Sequence, residues 1–166
     1  MSKKKISKDN PEPICHKHCV TPSTEFVTDS PWRVAKSLLR LRDQINAMAP
    51  QRSKASDGTI GDEHHQQENS DHNPWVKDGQ IGVVTAIDIT EDSVHGCSCE
   101  NIVSALVASK DVRIKYLIYK RQIISSQVQP WVWRKYTKAD PHTSHFHVSV
   151  LPTKKLYDSE IDWHIK

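Results

Sequence analysis

Two histidines, His145 and His147, stand two residues apart in the run His145-Phe146-His147-Val148-Ser149-Val150. As a β-strand this run puts His145, His147, Ser149 and Leu151 on one face and Phe146, Val148 and Val150 on the other. The apolar face suits a core. The other face carries two imidazoles aimed the same way, a poor use of a half-buried strand unless something binds there. A divalent metal is the natural candidate, with one imidazole as ligand and the other near enough to handle protons. Catalytic zinc takes three protein ligands from His, Asp, Glu or Cys and leaves the fourth position to water. In Val83-Val84-Thr85-Ala86-Ile87-Asp88-Ile89-Thr90, the side with Val83, Thr85, Ile87 and Ile89 reads as core, and Asp88 falls on the opposite face. A lone carboxylate in so apolar a strand is costly unless it is paired or coordinated. His72 lies upstream, in a polar turn closed by Asn73-Pro74. His72, Asp88 and His147 together make a candidate site for one Zn²⁺ per chain, with His145 beside it.

The pattern Ser70-x-His72, then Asp88 in an apolar strand, then His145-x-His147 resembles the zinc peptidases that cleave peptidoglycan cross-links. These are the D-alanyl-D-alanine carboxypeptidase and L-alanyl-D-glutamate endopeptidase group, related to the lysostaphin-type and hedgehog folds. The resemblance covers roughly residues 30–151 and rests on short motifs. It implies that His72, Asp88 and His147 hold the zinc and that His145 is the general base. It also implies that Arg52, in Arg52-Ser53, steadies the scissile carbonyl. The expected substrate is a peptidoglycan peptide, acted on after release from the cytoplasm by a bacterial or phage lytic enzyme. One departure stands out. The family has about six residues between its first His and the Asp, whereas fifteen separate His72 from Asp88 here. The extra stretch, Trp75 to Gly82, reads as a hairpin insertion turning at Asp78-Gly79.

The scaffold that must position these groups is expected to be α+β: a small antiparallel sheet carrying the metal site, flanked by two or three helices. At 166 residues the chain predicts one domain with a core of its own. Its charge of +3 and pI near 8.6 are compatible with an anionic partner, but a solvated surface explains them equally well. The mean hydropathy of −0.63 comes with no apolar run long enough to span a membrane. Residues 1–29 read as an irregular arm, with residues 30–166 as the catalytic domain. Met1-Ser2-Lys3-Lys4-Lys5 is basic but no apolar stretch follows, so no secretory signal is expected. Cys15-His16-Lys17-His18-Cys19 lacks a second half-site at zinc-finger spacing, which favours a disulfide or free thiols. Cys97 and Cys99 leave the pairing open. A monomer is expected.

Ser30 suits an N-cap and Pro31 a first helical position, and Val34, Leu38, Leu41, Ile45 and Met48 recur at helical spacing up to Pro50. The long polar segment 51–74 runs directly into His72 and so reads as functional. In it, Asp57, Asp62 and His65 are weaker candidates for touching substrate or orienting ligands by hydrogen bonds, though each alone serves equally well as a solvated loop residue. Ser98 caps a helix over Cys99–Val107, and Arg113–Tyr119 and Gln122–Ser125 form a hairpin around Lys120-Arg121. Trp131, Trp133 and Tyr136 either line a groove or pack at its rim. His142 offers an alternative base, three residues before a ligating His145, but strand alternation favours the pair His145 and His147. Trp163-His164, off any strand, reads as part of a packing tail.

Two other functions fit some of these residues. Asp71-His72-Asn73 resembles the Asp-His turn of HNH endonucleases, but those sites place their third motif on a helix soon afterwards, whereas the next histidines of the proposed site lie over seventy residues away on a strand. Nucleic acid is therefore an unlikely partner. A non-catalytic zinc or cell-wall-binding module is the other alternative, and His145 and Arg52 count against it.

Overall fold

A computed structural model describes residues 31–61 and 69–166. Among these the fold is α+β, with eight strands, three α-helices and one 3₁₀ turn. Strands β1 (Trp32–Val34), β2 (Val76–Asp78) and β3 (Ile81–Val84) form a three-stranded sheet ordered β1-β3-β2. Strands β4 (Ala86–Thr90), β5 (Ile114–Tyr119), β6 (Gln122–Ser125), β7 (Arg134–Lys135) and β8 (His145–Val150) form an antiparallel sheet ordered β4-β8-β5-β6-β7. The helices are α1 (Lys36–Met48), α2 (Cys99–Ser109) and α3 (Lys154–Tyr157).

The histidine strand lies inside the larger sheet, between β4 and β5. Its two faces divide as the alternation predicts. Phe146, Val148 and Val150 are fully buried in a core shared with Leu38, Leu41 and Ile45 of α1 and with Ile102, Val103 and Leu106 of α2. Each such side chain contributes about 1.5–3 kcal/mol by leaving water, so this face fixes the strand register. A slip of one residue would turn both imidazoles into the core. Ser98 caps α2, its hydroxyl accepting from the backbone N–H of Asn101.

Helix α1 begins later than its sequence suggests. Trp32–Val34 is a strand paired parallel with β3, Ala35 donates its N–H to the carbonyl of Val84, and the first helical residue is Lys36. Pro31 therefore does not occupy the first helical position, and Ser30 lies outside the described residues. Val34 belongs to β1 and the helical stripe starts at Leu38. Here an available sheet partner overrides a serviceable capping sequence.

The insertion between His72 and Asp88 is the hairpin β2–β3, in which Asp78 faces Ile81 and Gly79 has φ +61° at the first loop position, as a type II′ turn requires. The run 83–90 is interrupted at Thr85, so that β3 and β4 serve different sheets. The C-terminal segment is a packing tail: Trp163 is buried, donates its indole N–H to the carbonyl of Ser37, and lies 3.7 Å beneath the guanidinium of Arg113. Cys97 and Cys99 are buried free thiols, while Cys15 and Cys19 lie outside the described residues. Among those residues no helix is long and apolar enough to cross a membrane.

Candidate metal centre

The ladder between β4 and β8 sets Asp88 directly opposite His147. Cross-strand neighbours share a face, and the carboxylate oxygen Oδ1 of Asp88 lies 3.0 Å from His147 Nδ1. The third group arrives from a loop. In the turn after Ser70, the backbone N–H of Asn73 bonds the Ser70 carbonyl and that of His72 bonds the Ser70 hydroxyl. This turn brings His72 Nε2 to 3.1 Å from His147 Nδ1 and 3.3 Å from Asp88 Oδ2. The three side chains chosen from sequence thus converge, and this buried group can hold a metal ion.

Hydrogen bonds behind the site select the donor atoms. The carbonyl of Thr59 can only accept, so the 2.8 Å bond from His72 Nδ1 puts the proton there and leaves Nε2 bare in the neutral ring. His147 Nε2 is engaged with the Ser149 hydroxyl at 2.9 Å, leaving Nδ1 turned to the centre. Lone pairs meeting at these distances repel unless a cation lies among them, either a proton or a metal. Burial pulls the pKa of His72 down, but the hydrogen bond and charge of Asp88 and the Thr59 carbonyl outweigh it, and the net shift is upward. Burial also opposes ionisation of Asp88, yet the hydrogen bonds and charges of His147 and His72 hold its carboxyl far below the usual range. Burial lowers His147, with Asp88 only partly offsetting it. An anionic carboxylate between two imidazoles, one protonated through Nδ1 to a carbonyl, is a donor set that can hold a metal ion. Tetrahedral bonds of about 2.0–2.2 Å need ligand atoms about 3.3–3.5 Å apart, within tenths of an ångström of the separations here.

The centre faces a cavity of about 1020 Å³, also lined by Tyr116, Tyr136, Lys138, Asp140, His142 and His145. A bulge at Lys115 explains how Tyr116 reaches it. Ile114 pairs with Val150 but Tyr116 with Ser149, so one extra residue lets Ile114 and Leu117 both enter the core while Tyr116 turns to the site. The Tyr116 ring stacks on His147 with centroids 5.2 Å apart. Burial, followed by the charge of Asp71, raises its phenol pKa, so it stays protonated at neutral pH. Lys115 projects from the bulge to pair with Asp71 at 2.7 Å, beside His72.

The other residues chosen from sequence divide between the cavity and other places. His145 and His142 do line the cavity, with ring centroids 4.7 Å apart. Burial and then the charge of His147 lower the pKa of His142. Arg52 does not reach the cavity, contrary to its expected role at the scissile carbonyl. Its side chain is fully buried, forming a two-pronged ion pair with Asp57 at 2.6 and 2.9 Å and donating to Asn46. Its guanidinium is spent on the loop and on helix α1. Asp57 in turn accepts from the backbone N–H and hydroxyl of Thr90, so it braces β4 and touches neither ligand nor cavity. Asp62 and His65 lie outside the described residues. Trp131 and Trp133 are not cavity residues, whereas Tyr136 is.

Gly58 carries a role that sequence reading missed. It exchanges backbone hydrogen bonds with Asp88, and a Cβ there would lie 3.0 Å from Asp88 Oδ2. Thr59, Ser149, Tyr116 and Asp140 were likewise not assigned site roles from sequence. For Tyr116 a signal existed, since β5 was recognised as a strand, but the bulge that decides its face was not visible.

Comparison of the chain with protein-family models gives no match. Neither the curated proteins nor the solved structures provide one.

Proposed function

We propose that this protein is a zinc-dependent hydrolase of amide bonds in peptidoglycan stem peptides or their cross-links. The observation that carries the reading is the convergence of His72 Nε2, Asp88 and His147 Nδ1 within 3.3 Å of one another, open on one side to a cavity large enough for a peptide segment. Three protein donors leave a coordination position for water or substrate, as a catalytic rather than a purely structural site requires. The substrate class rests on the resemblance of Ser70-x-His72, Asp88 and His145-x-His147 to the peptidoglycan peptidases.

Zinc held there would polarise the peptide carbonyl and bring the pKa of a bound water toward about 7. The chain's own groups then divide the remaining work. Asp88, His72 and His147 hold the ion, with Thr59 and Ser149 fixing the two rings. His145, on the same strand face about 7 Å along from His147, takes the proton from the water and returns it to the departing amine. Its ring is oriented by Ser144, whose hydroxyl lies 3.2 Å from Nδ1. Tyr116 packs the far side of His147 and excludes water from it. Arg52 takes no part in the chemistry.

The test is digestion of purified peptidoglycan followed by mass spectrometry of the released fragments, with and without a chelator. New amine and carboxyl termini within the stem peptide, lost on chelation and restored by zinc, are the expected result. Intact peptides in the presence of tightly bound zinc would instead identify a binding module. Cleavage of DNA with magnesium and no release from peptidoglycan would favour a nuclease.

A further inference from the structure

A second set of donors meets the carboxylate of the metal centre. Asp88, His142 and His145 each present a ligand atom, all within 4.8 Å of one another. Both histidines are buried at the wall of the cavity. Drawing these atoms onto a dication requires movements of about 1.4 Å or less, given ligand separations of about 3.4 Å in a tetrahedral site.

An independent feature of the backbone points to the same place. His142 has φ +49°, and it is met there by Lys120 at φ +45° and Arg121 at φ +60°. The Lys120 N–H donates to the His142 carbonyl at 2.9 Å, and the Arg121 N–H to that of Pro141 at 2.8 Å. Lys120 and Arg121 take positive φ as the two loop residues between paired Tyr119 and Gln122, as a type I′ hairpin requires. Their N–H groups hold His142 in a conformation that costs about 1 kcal/mol or more. What this arrangement fixes is the His142 ring. Its Nδ1 donates to the Asp140 carbonyl at 3.0 Å, so the neutral ring presents a bare Nε2. Neither the proposed chemistry nor the core uses that nitrogen.

We infer that Asp88, His142 and His145 form a second divalent-cation site, so that the cavity holds a pair of ions bridged by the Asp88 carboxylate. This rests on the first centre being a metal site. Oδ1 lies against His147 and Oδ2 against His72, so the bridge requires one Asp88 oxygen to turn from the first centre toward His142 and His145. An ion–ion separation of about 3.5–4 Å is that of known two-metal sites. The second ion has a chemical consequence. His145 cannot both ligate it and accept the proton of a water, so filling the second site removes the proposed base. Hydrolysis is therefore expected to rise with the first equivalent of zinc and fall with the second.

The experiment uses cobalt(II) as the probe, titrated into chelator-stripped full-length protein carrying Cys15→Ser and Cys19→Ser, so that the arm's thiols take up no metal. The stoichiometry and the electron paramagnetic resonance of high-spin cobalt are followed together. The expected result is two equivalents, the second attenuating the resonance of the first through the bridging carboxylate. His142→Ala and His145→Ala should each lose the second equivalent and retain the first. Saturation at one ion overturns the second site while leaving the proposed hydrolase standing. So does a second ion that leaves the first resonance unaltered or survives His142→Ala. Failure to bind any ion removes both readings.

Discussion

The donors of the cavity come from two kinds of backbone, and they are held in two different ways. Asp88, His145 and His147 lie on adjacent strands, the edge strand β4 and the interior strand β8, where the ladder that pairs Asp88 with His147 also pairs Ile87 with Val148 and Ile89 with Phe146 in the core. Moving one of these donors means moving the hydrophobic face behind it. His72 and His142 lie in turns with no core face behind them and, beyond the bonds that fix their rings, are held by hydrogen bonds and an ion pair. For His72 these are the Lys115–Asp71 ion pair and the bond from the Thr85 N–H to the Asp71 carbonyl. For His142 they are the two bonds from the turn at Lys120 and Arg121. The strands therefore supply rigidity and the turns supply the closing contacts. Perturbations of the turns should loosen metal binding without unfolding the protein.

The largest effect is expected from the strand side. His147→Ala removes a ligand that touches both partners, and zinc affinity should fall by more than about 100-fold, the upper range for losing merely an outer hydrogen-bond partner. Isothermal titration with a competing chelator measures this, and unaltered affinity would exclude His147 from the centre. Gly58→Ala comes next. The new methyl group would lie 3.0 Å from Asp88 Oδ2, so the carboxylate must shift, and affinity should drop by about 10-fold or more while the melting temperature changes little. Lys115→Met tests the turn. Its ion pair with Asp71 is partly exposed, with the two side chains 35% and 17% accessible, which limits its worth to about 0.5–1 kcal/mol. Affinity should weaken by only about two- to five-fold. A loss as large as that of His147→Ala would mean that the turn, and not the sheet, holds the site.

The same division decides what could be read from the amino-acid sequence. The strand donors were legible because a period of two separates core from site without knowledge of the partner strand: Phe146, Val148 and Val150 against His145 and His147, and Ile87 and Ile89 against Asp88. His72 was legible from its place beside a turn-forming Asn-Pro and from the resemblance, not from any periodicity. Tyr116 was missed because one bulged residue reverses the face of everything after it, and the bulge is stabilised from outside the strand by Ser125 and Ser126, whose hydroxyls bond the carbonyls of Lys115 and Ile114. Gly58 was missed because the need for a glycine arises from the close approach of Asp88, thirty residues away. Ser30-Pro31 misled because capping preference is worth only about 1 kcal/mol, less than a strand gains from three paired residues beside a core. Arg52 carries the plainest lesson. Its chemistry suits a carbonyl clamp, but a half-buried aspartate five residues on claims it.

That ion pair gives the smallest effect and a sharp test of which region Arg52 serves. Burial resists the ionisation of Asp57, but its bonds to Arg52 and to the N–H and hydroxyl of Thr90 outweigh this, and its folded pKa lies below the ordinary 3.8. A carboxyl depressed on folding contributes stability that is fully present above its unfolded pKa and is lost as the pH falls through the folded value. Wild-type protein should therefore lose stability steeply below about pH 4. Asp57→Asn should be less stable at neutral pH but show a flatter dependence between pH 5 and about 2.5 in chemical denaturation. Arg52→Met should cost about 2 kcal/mol by leaving Asp57 without its cation. Turnover per zinc-loaded folded chain should nevertheless stay within about three-fold of wild type, since the guanidinium is not in the cavity. If turnover of the proposed hydrolase instead falls by the 10²–10³-fold typical of a lost oxyanion donor, while stability is kept, Arg52 must leave Asp57 to reach the substrate.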